Sequence, residues 1–116
     1  MPRRALVADD DPLTLELIAS MLEELGCETL TARSGIAALA RLANQKVDVL
    51  VADINMPRLS GIELAQRTRS FRPGIQVLLL SGRENDGRGF PLLRKPFSLS
   101  DLRRVMADTT GFCDDD

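Results

Sequence analysis

Histidine, tryptophan and tyrosine are absent from this 116-residue sequence, and four phenylalanines are its only aromatic residues. Without histidine, the chain cannot carry the phosphohistidine of a histidine kinase or of a histidine phosphotransfer protein. The two cysteines, Cys27 and Cys113, have neither the spacing of a metal site nor the number of a disulfide framework. We therefore expect one to be a small core residue and the other a tail thiol in a reducing compartment.

The sequence shows no signal peptide and no long apolar span, which predicts a cytoplasmic protein that does not bind membranes. Its formal net charge is −2, and its 15 basic residues are scattered along the chain. Such a charge creates no field that would attract nucleic acid. With 44% apolar and 28% charged residues, residues 1–116 have the composition of one globular domain, and we expect no DNA-binding output domain in the chain.

Short apolar runs alternate along the chain with segments of helical period. The runs are candidate strands, at residues 4–9, 27–32, 47–52, 75–80 and 92–94. This alternation is typical of a doubly wound α/β fold, in which helices cover both faces of a five-stranded parallel sheet.

Capping residues mark the expected helix boundaries. Asp11 and Pro12 predict the N-cap and first turn of a helix that Gly26 ends. A second helix is expected to begin at Ser34, and the sequences at 60–63 and 98–101 predict the starts of two more. In the first two helices we expect these residues to face inward: Leu17, Ile18, Met21, Leu22 and Leu25, then Ile36, Leu39, Ala40 and Ala43.

Charged residues stand where three of the apolar runs end. Asp9 and Asp10 follow the first run, Asp53 follows the third, and Lys95 follows the fifth. Because the carboxyl ends of parallel strands meet at one edge of an open sheet, we expect these groups to converge there. Carboxylates in one site raise one another's pKa unless a cation is present, so the pattern implies a metal. Oxygen ligands with room for water and phosphate favour Mg²⁺ over Ca²⁺.

The same edge carries groups suited to phosphoryl transfer. Asp53 can attack phosphorus and form an aspartyl phosphate once a metal neutralises the phosphoryl oxygens. Lys95 supplies positive charge, Ser81 a hydroxyl donor, and Gly82 space for the phosphate. Taken singly, each residue has an ordinary role as a helix cap, a loop opening or a surface charge. Matching groups on four separate loops favour a shared site.

Other α/β phosphate sites fit these residues poorly. A flavin-binding loop cradles phosphate with hydroxyls and glycines, whereas the first strand here is followed by Asp9, Asp10 and Asp11, of which Asp11 is interpreted only as a cap. The chain also lacks a glycine-rich Walker loop.

In order and spacing, the charged residues and their neighbours resemble the receiver domain of two-component response regulators over nearly the whole chain. The motifs that carry the resemblance are Asp9-Asp10, Asp53-Ile54-Asn55-Met56-Pro57 with Gly61, Ser81-Gly82 and Lys95-Pro96-Phe97. The resemblance implies a flavodoxin-like sheet with strand order 2-1-3-4-5 and a cis Lys95-Pro96 peptide bond.

The resemblance also implies roles for the site residues. Asp53 would be the phospho-acceptor and a ligand of Mg²⁺. Asp10 would bind the ion directly, Asp9 through water and Asn55 through its main-chain carbonyl, while Ser81 and Lys95 would assist the transfer. Such a domain is not an enzyme but a phospho-acceptor that assists its own phosphorylation and dephosphorylation.

The phosphoryl donor would be a histidine kinase, a histidine phosphotransfer protein or a small molecule, and a downstream protein would receive the signal. Residues 95–99 are similar to receivers attached to hybrid sensor kinases. Leu13, which lies off the apolar stripe beside Ser20 and Glu24, is a candidate docking residue. The alternative is a receiver-like interaction module whose partner binding ignores phosphate.

The main departure from the receiver pattern lies before Lys95. Residues 82–89 are rich in glycine, contain no apolar residue and fall short of the usual length by about two helical turns. The helix between the fourth and fifth strands is therefore expected to be short or absent, and residues 83–90 to form a loop. Leu92 also stands where the family commonly carries an aromatic residue.

Overall fold

Strands and helices alternate along the chain in a computed structural model that describes residues 3–82 and 87–110. The elements are β1 (Arg4–Ala8), α1 (Pro12–Glu24), β2 (Glu28–Ala32), α2 (Gly35–Asn44), β3 (Val49–Asp53), α3 (Gly61–Phe71), β4 (Gln76–Ser81), a 3₁₀ turn (Gly87–Gly89), β5 (Leu92–Arg94) and α4 (Leu99–Thr110).

The strands form one parallel sheet in the order β2-β1-β3-β4-β5, which confirms the predicted flavodoxin-like topology. Ala8 at the end of β1 pairs with Ala32 on one side and Ala52 on the other. The carboxyl ends of these strands are therefore level with one another. Polar residues that follow the strands emerge along a single edge.

Both faces of the sheet are buried, because successive side chains of a strand point to opposite faces. Leu6, Leu50 and Leu79 pack with residues of α2 and α3 on one face. Val51 and Leu80 pack with residues of α1 and α4 on the other. Burial on two faces explains why the central strands β1, β3 and β4 are nearly continuous apolar runs, whereas the edge strand β2, which is less buried, carries two threonines that alternate with apolar residues.

Most helix ends lie where the capping residues predict them. Ser34 accepts a hydrogen bond from the Ala37 amide at 3.0 Å, and Ser60 and Glu63 form a complete capping box. At α1, Asp11 occupies the N-cap position, but its carboxylate accepts from the Thr14 hydroxyl and caps no backbone amide. Gly26, with φ 92°, follows the last turn of α1 as expected.

The inward face predicted for α1 is wrong at Leu17, whose side chain is 61% exposed. Leu13 and Leu17 are four residues apart, so they share a face of the helix, and Leu13 is also exposed. The buried face of α1 instead includes Leu15 and Ala19 together with Ile18 and Leu22.

The inward face predicted for α2 is wrong by about one residue. Ile36, Ala40 and Ala43 are exposed and Leu39 is half-buried, while the buried positions are Gly35, Ala38 and Leu42. A close contact sets this rotation. A Cβ at Gly35 would lie 2.7 Å from Leu59 Cδ2, so only glycine allows the first turn of α2 to approach that side chain so closely.

In the described part of the connection between β4 and β5 there is a 3₁₀ turn and no α-helix, as the sequence predicts. Arg88 and Gly89 both have left-handed backbone angles in this turn. Phe90 then packs against the core, with the Arg69 guanidinium 5.1 Å from the centre of its ring. The part of the predicted loop at 83–86 lies outside the described residues.

Cys27 is buried in the core, as expected for one of the two cysteines, and Cys113 lies outside the described residues. Within residues 3–82 and 87–110, none of the helices has both the length and the apolar character that a membrane span requires.

Candidate functional site

The residues predicted to form a site meet at the carboxyl edge of the sheet. Asp53 and Ser81 are the last residues of β3 and β4, while Asp9 and Lys95 directly follow β1 and β5. Backbone hydrogen bonds continue the strand ladder into these positions, from Asp9 N to Ala32 O at 3.1 Å and from Lys95 N to Ser81 O at 2.7 Å. The sheet itself thus holds the backbone from which each side chain projects.

Lys95 lies between two carboxylates. Its Nζ is 3.3 Å from Asp9 Oδ2 and 3.6 Å from Asp53 Oδ1. Asp9 is only 1% exposed and Asp53 only 7%, whereas Asp10 is exposed. One ammonium therefore faces two buried carboxylates, so negative charge at this edge is only partly neutralised.

Backbone amides donate to the same carboxylates. Asp9 Oδ1 accepts from the Asp11 amide at 2.9 Å, and Asp53 Oδ1 accepts from the Asn55 amide at 3.3 Å. Even so, burial raises the pKa of Asp53, with Asp9 raising it further and Lys95 lowering it. The ionised form of Asp53 would be favoured by an additional cation.

The acidic cluster has the chemistry of a divalent metal site. Asp9, Asp10 and Asp53 each offer a carboxylate oxygen, and these oxygens all lie within 4.8 Å of one another. Lys95 only partly neutralises the negative charge of these carboxylates, and hard oxygen donors of this kind are the ligands that suit Mg²⁺. Asn55 is exposed, two residues after Asp53, and the ligand role of its carbonyl stays a prediction.

Gly61 contributes a close backbone contact that the sequence pattern does not predict. Its amide donates to Ile54 O at 3.0 Å. A Cβ at this position would overlap the carbonyl oxygen of Asp53 and lie 2.9 Å from Ile54 Cα. The sequence hint of this contact is a glycine directly after the N-cap Ser60, because the first position of a helix normally tolerates a side chain. The first turn of α3 is therefore pressed against the backbone of the predicted phospho-acceptor.

Ser81 and Gly82 stand on the neighbouring strand. Ser81 is fully buried and pairs in register with Arg94 of β5. Among the described residues, and apart from its chain neighbours, a Cβ at Gly82 would meet no atom within 4 Å, so these residues leave space beside the end of β4. This agrees with the space expected there for a phosphoryl group.

An apolar groove of about 210 Å³ adjoins the acidic cluster. It runs between α1 and the segment after β5, and Lys95 forms part of its wall. Leu17, which was predicted to face the core, instead lines this groove. The lining residues are Thr14, Leu17, Ile18, Met21, Lys95, Pro96 and Phe97, and the Lys95-Pro96 bond is cis as expected.

A five-stranded parallel sheet with an aspartate cluster, a serine and a lysine at its carboxyl edge defines a CheY-like domain of the phosphoryl-accepting kind. The chain belongs to the response regulator receiver domain family, which it matches over residues 5–107. Receiver domains of two-component systems are phospho-acceptors rather than classical enzymes.

Individual relatives agree with this assignment. The response regulator MprA of Mycobacterium sp. is 34% identical over 110 residues, which cover 88% of this chain and 48% of MprA. The chain therefore spans about half the length of this relative. The sensor histidine kinase RcsC of Escherichia coli is 42% identical over 73 residues, 63% of this chain and 8% of RcsC.

Among solved structures, the response regulator TrrA of Thermotoga maritima in complex with Mg²⁺-BeF is 28% identical. Its TM-score is 0.84, and the match covers 91% of this chain and 97% of TrrA.

Proposed function

We propose that residues 1–116 form a single receiver domain that accepts a phosphoryl group on Asp53 from a partner's phosphohistidine. The observation that carries the proposal is the position of Lys95 Nζ, 3.3 Å from Asp9 and 3.6 Å from Asp53, at the edge where three carboxylates gather. Mg²⁺ would be held by Asp9, Asp10, Asp53 and the main-chain carbonyl of Asn55. The crystallised complex of TrrA with Mg²⁺-BeF supports this choice of ion.

In the proposed reaction, a carboxylate oxygen of Asp53 attacks phosphorus. The new P–O bond forms as the P–N bond of the phosphohistidine breaks, and the imidazole nitrogen leaves with the electron pair and takes a proton from solvent. Lys95 neutralises charge on the phosphoryl oxygens, and the Ser81 hydroxyl donates to one of them. When bound, Mg²⁺ supplies further positive charge to these oxygens.

The phosphoryl donor would be a histidine kinase or a histidine phosphotransfer protein, because receiver domains interact with such partners and this chain has no histidine of its own. We place its docking surface at α1. Leu13 is 76% exposed, and Leu17, on the same helix face, opens into the apolar groove beside Lys95. A partner seated there would bring its phosphohistidine next to Asp53.

Intact mass after incubation with acetyl phosphate and Mg²⁺ tests the acceptor. We expect the wild type to gain one phosphate and Asp53→Asn to gain none. Asp48→Asn is the matched control, because Asp48 lies at the opposite edge of the sheet and should leave the gain unchanged. A full gain in Asp53→Asn would refute the assignment. No gain in the wild type with either acetyl phosphate or a phosphorylated histidine partner would favour the phosphate-independent interaction module.

Docking can be separated from chemistry by changing the donor. Leu13→Ala should slow transfer from a phosphorylated histidine partner but leave transfer from acetyl phosphate unchanged. Ile36→Ala, which truncates another exposed apolar side chain, on α2, should affect neither rate. Equal slowing by the two variants would remove α1 as the docking surface.

A further inference from the structure

A second groove lies at the amino-terminal edge of the sheet, opposite the acidic cluster. Its volume is about 480 Å³. Three parts of the chain line it: Arg3 just before β1, residues 46–48 between α2 and β3, and residues 71–76 from the end of α3 to the start of β4. The proposed phosphoryl transfer uses none of these residues.

The charge of this groove is mainly positive. Arg3, Lys46 and Arg72 line it, opposed by the single carboxylate of Asp48. Asp48 Oδ2 already accepts from the Arg4 amide at 2.8 Å, so part of its charge is satisfied by the backbone. Lys46 and Arg72 alone exceed the charge of Asp48 by one, which favours an anionic occupant.

Backbone contacts fix one of the cations in place. The Arg72 guanidinium donates to the carbonyl oxygens of Leu42 and Gln45, which ties it to the end of α2. Phe71, 47% exposed, adds an apolar wall beside it. The groove therefore combines a positioned guanidinium, an exposed ammonium at Lys46 and an aromatic surface.

Helix α4 leads the chain toward this edge. It begins at Leu99, close to Lys95 at the carboxyl edge, and packs on the sheet through the fully buried Leu102 and Met106. Its 12 residues extend about 18 Å, which is about the length of a five-residue strand. The helix thus crosses the sheet, and Thr110 lies toward the amino-terminal edge.

The sequence that follows α4 is acidic. Asp114, Asp115 and Asp116 are consecutive, and residues 111–116 lie outside the described residues. Six residues of extended chain reach about 20 Å, a length similar to that of α4 itself, so the segment can continue along this edge beyond the end of the helix. Attachment to the same chain gives such a segment an effective concentration in the mM range, so modest electrostatic attraction is sufficient.

We infer that the groove between Arg3, Lys46 and Arg72 binds the acidic segment Asp114–Asp116 of the same chain. The bound segment covers the basic edge of the sheet and leaves the phosphoryl-accepting edge open. The interaction is electrostatic and exposed, so it weakens as ionic strength rises.

A nitroxide label on Cys113 tests the inference in the 116-residue chain. Cys27 is buried, and burial raises the pKa of its thiol to about 11, so labelling near neutral pH is selective for Cys113. In NMR spectra we expect the label to broaden the amide signals of Lys46, Arg72 and Gly74 at low salt. The amides of Asp53 and Ile54, at the far edge, should stay sharp. Sharp signals in the groove would overturn the inference.

Charge variants and a mixed sample distinguish the occupants. The broadening should disappear when residues 114–116 are all replaced by Asn, and also in Lys46→Glu. Arg67→Glu is the control, because it makes the same charge change on an exposed part of α3 outside the groove and should leave the broadening unchanged. Broadening that persists with Asn at 114–116 would contradict the inference. Broadening of an unlabelled, isotope-enriched chain mixed with a spin-labelled chain would assign the groove to a second copy and also overturn it.

Discussion

The two edges of the sheet carry opposite charge although the same strands end at both. At the carboxyl edge, Asp9 and Asp53 are buried around Lys95, with Asp10 beside them. At the amino edge, the cationic side chains form an open groove with one carboxylate. The interiors of the central strands are apolar because both of their faces are buried, but the residues beyond each end are free to differ. The comparison shows how one core can support two chemically distinct surfaces.

The edges also differ in how tightly the backbone is packed. Gly61 at the carboxyl edge lies against the carbonyl of Asp53, where a Cβ has no room. At Gly74 on the amino edge, no atom of the described residues other than its chain neighbours lies within 4 Å of the position that a Cβ would take. The edge that carries Asp53 is built with close contacts, whereas the basic groove is open.

Replacing one lysine at each edge by alanine is expected to give the largest difference between the two edges, measured as the rate of phosphorylation. Lys95→Ala should slow phosphorylation by acetyl phosphate by about 10²–10³-fold, because it removes a positive group aimed at the charge that develops on the phosphoryl oxygens. Lys46→Ala, at the other edge, should leave the rate unchanged. Rates of mass gain at a fixed Mg²⁺ concentration measure both. A rate for Lys95→Ala within a factor of two of wild type would show that the lysine does not act on the phosphoryl group.

Alanine substitutions at Gly61 and Gly74 test the difference in packing between the two edges. Gly61→Ala should lower the free energy of unfolding by about 1–3 kcal/mol, since the added methyl group forces α3 away from the end of β3. Gly74→Ala should be neutral or stabilise by up to about 1 kcal/mol, because it restricts the unfolded chain. Urea denaturation followed by circular dichroism measures these changes. Equal stability of the two variants would contradict the close contact at Gly61.

The smallest expected effect is that of the metal on stability. At a Mg²⁺ concentration ten times the dissociation constant, the free energy of unfolding should rise by about 1.4 kcal/mol. Asp10→Ala should reduce this gain, whereas Asp108→Ala, exposed on α4, should keep it. Thermal melting with and without Mg²⁺ is the measurement, and an equal gain in all three proteins would exclude the acidic cluster as the site.

The Mg²⁺ effect should also depend on pH. Burial raises the pKa of Asp53, so protons compete with the metal for its carboxylate at higher pH than for an ordinary aspartate. The stabilisation is present above the raised pKa and is lost as the pH falls through it. Melting in Mg²⁺ across the acidic range tests this, and a gain that stayed constant down to full protonation would contradict it.

Much of this molecule follows from local sequence. The apolar runs predict the strands to within about two residues, and the limits of the central strands β1, β3 and β4 are clear because these strands are buried on both faces. Ser34 and Ser60 mark helix starts through contacts of only three residues' span. The gathering of Asp9, Asp53 and Lys95 also follows from the sequence, since parallel strands end at one edge.

Helix rotation and close backbone contacts were decided by the tertiary structure. In α2, the buried positions are Gly35, Ala38 and Leu42, and the close contact of Gly35 with Leu59 lies on this face and depends on where the segment before α3 docks. Leu17 is exposed because α1 presents Leu15 and Ala19 to the sheet instead. The contact of Gly61 with Asp53 joins residues whose approach depends on how α3 docks. Local sequence patterns indicate which secondary structure a segment favours, whereas helix rotation and close backbone contacts depend on which other segment it packs against.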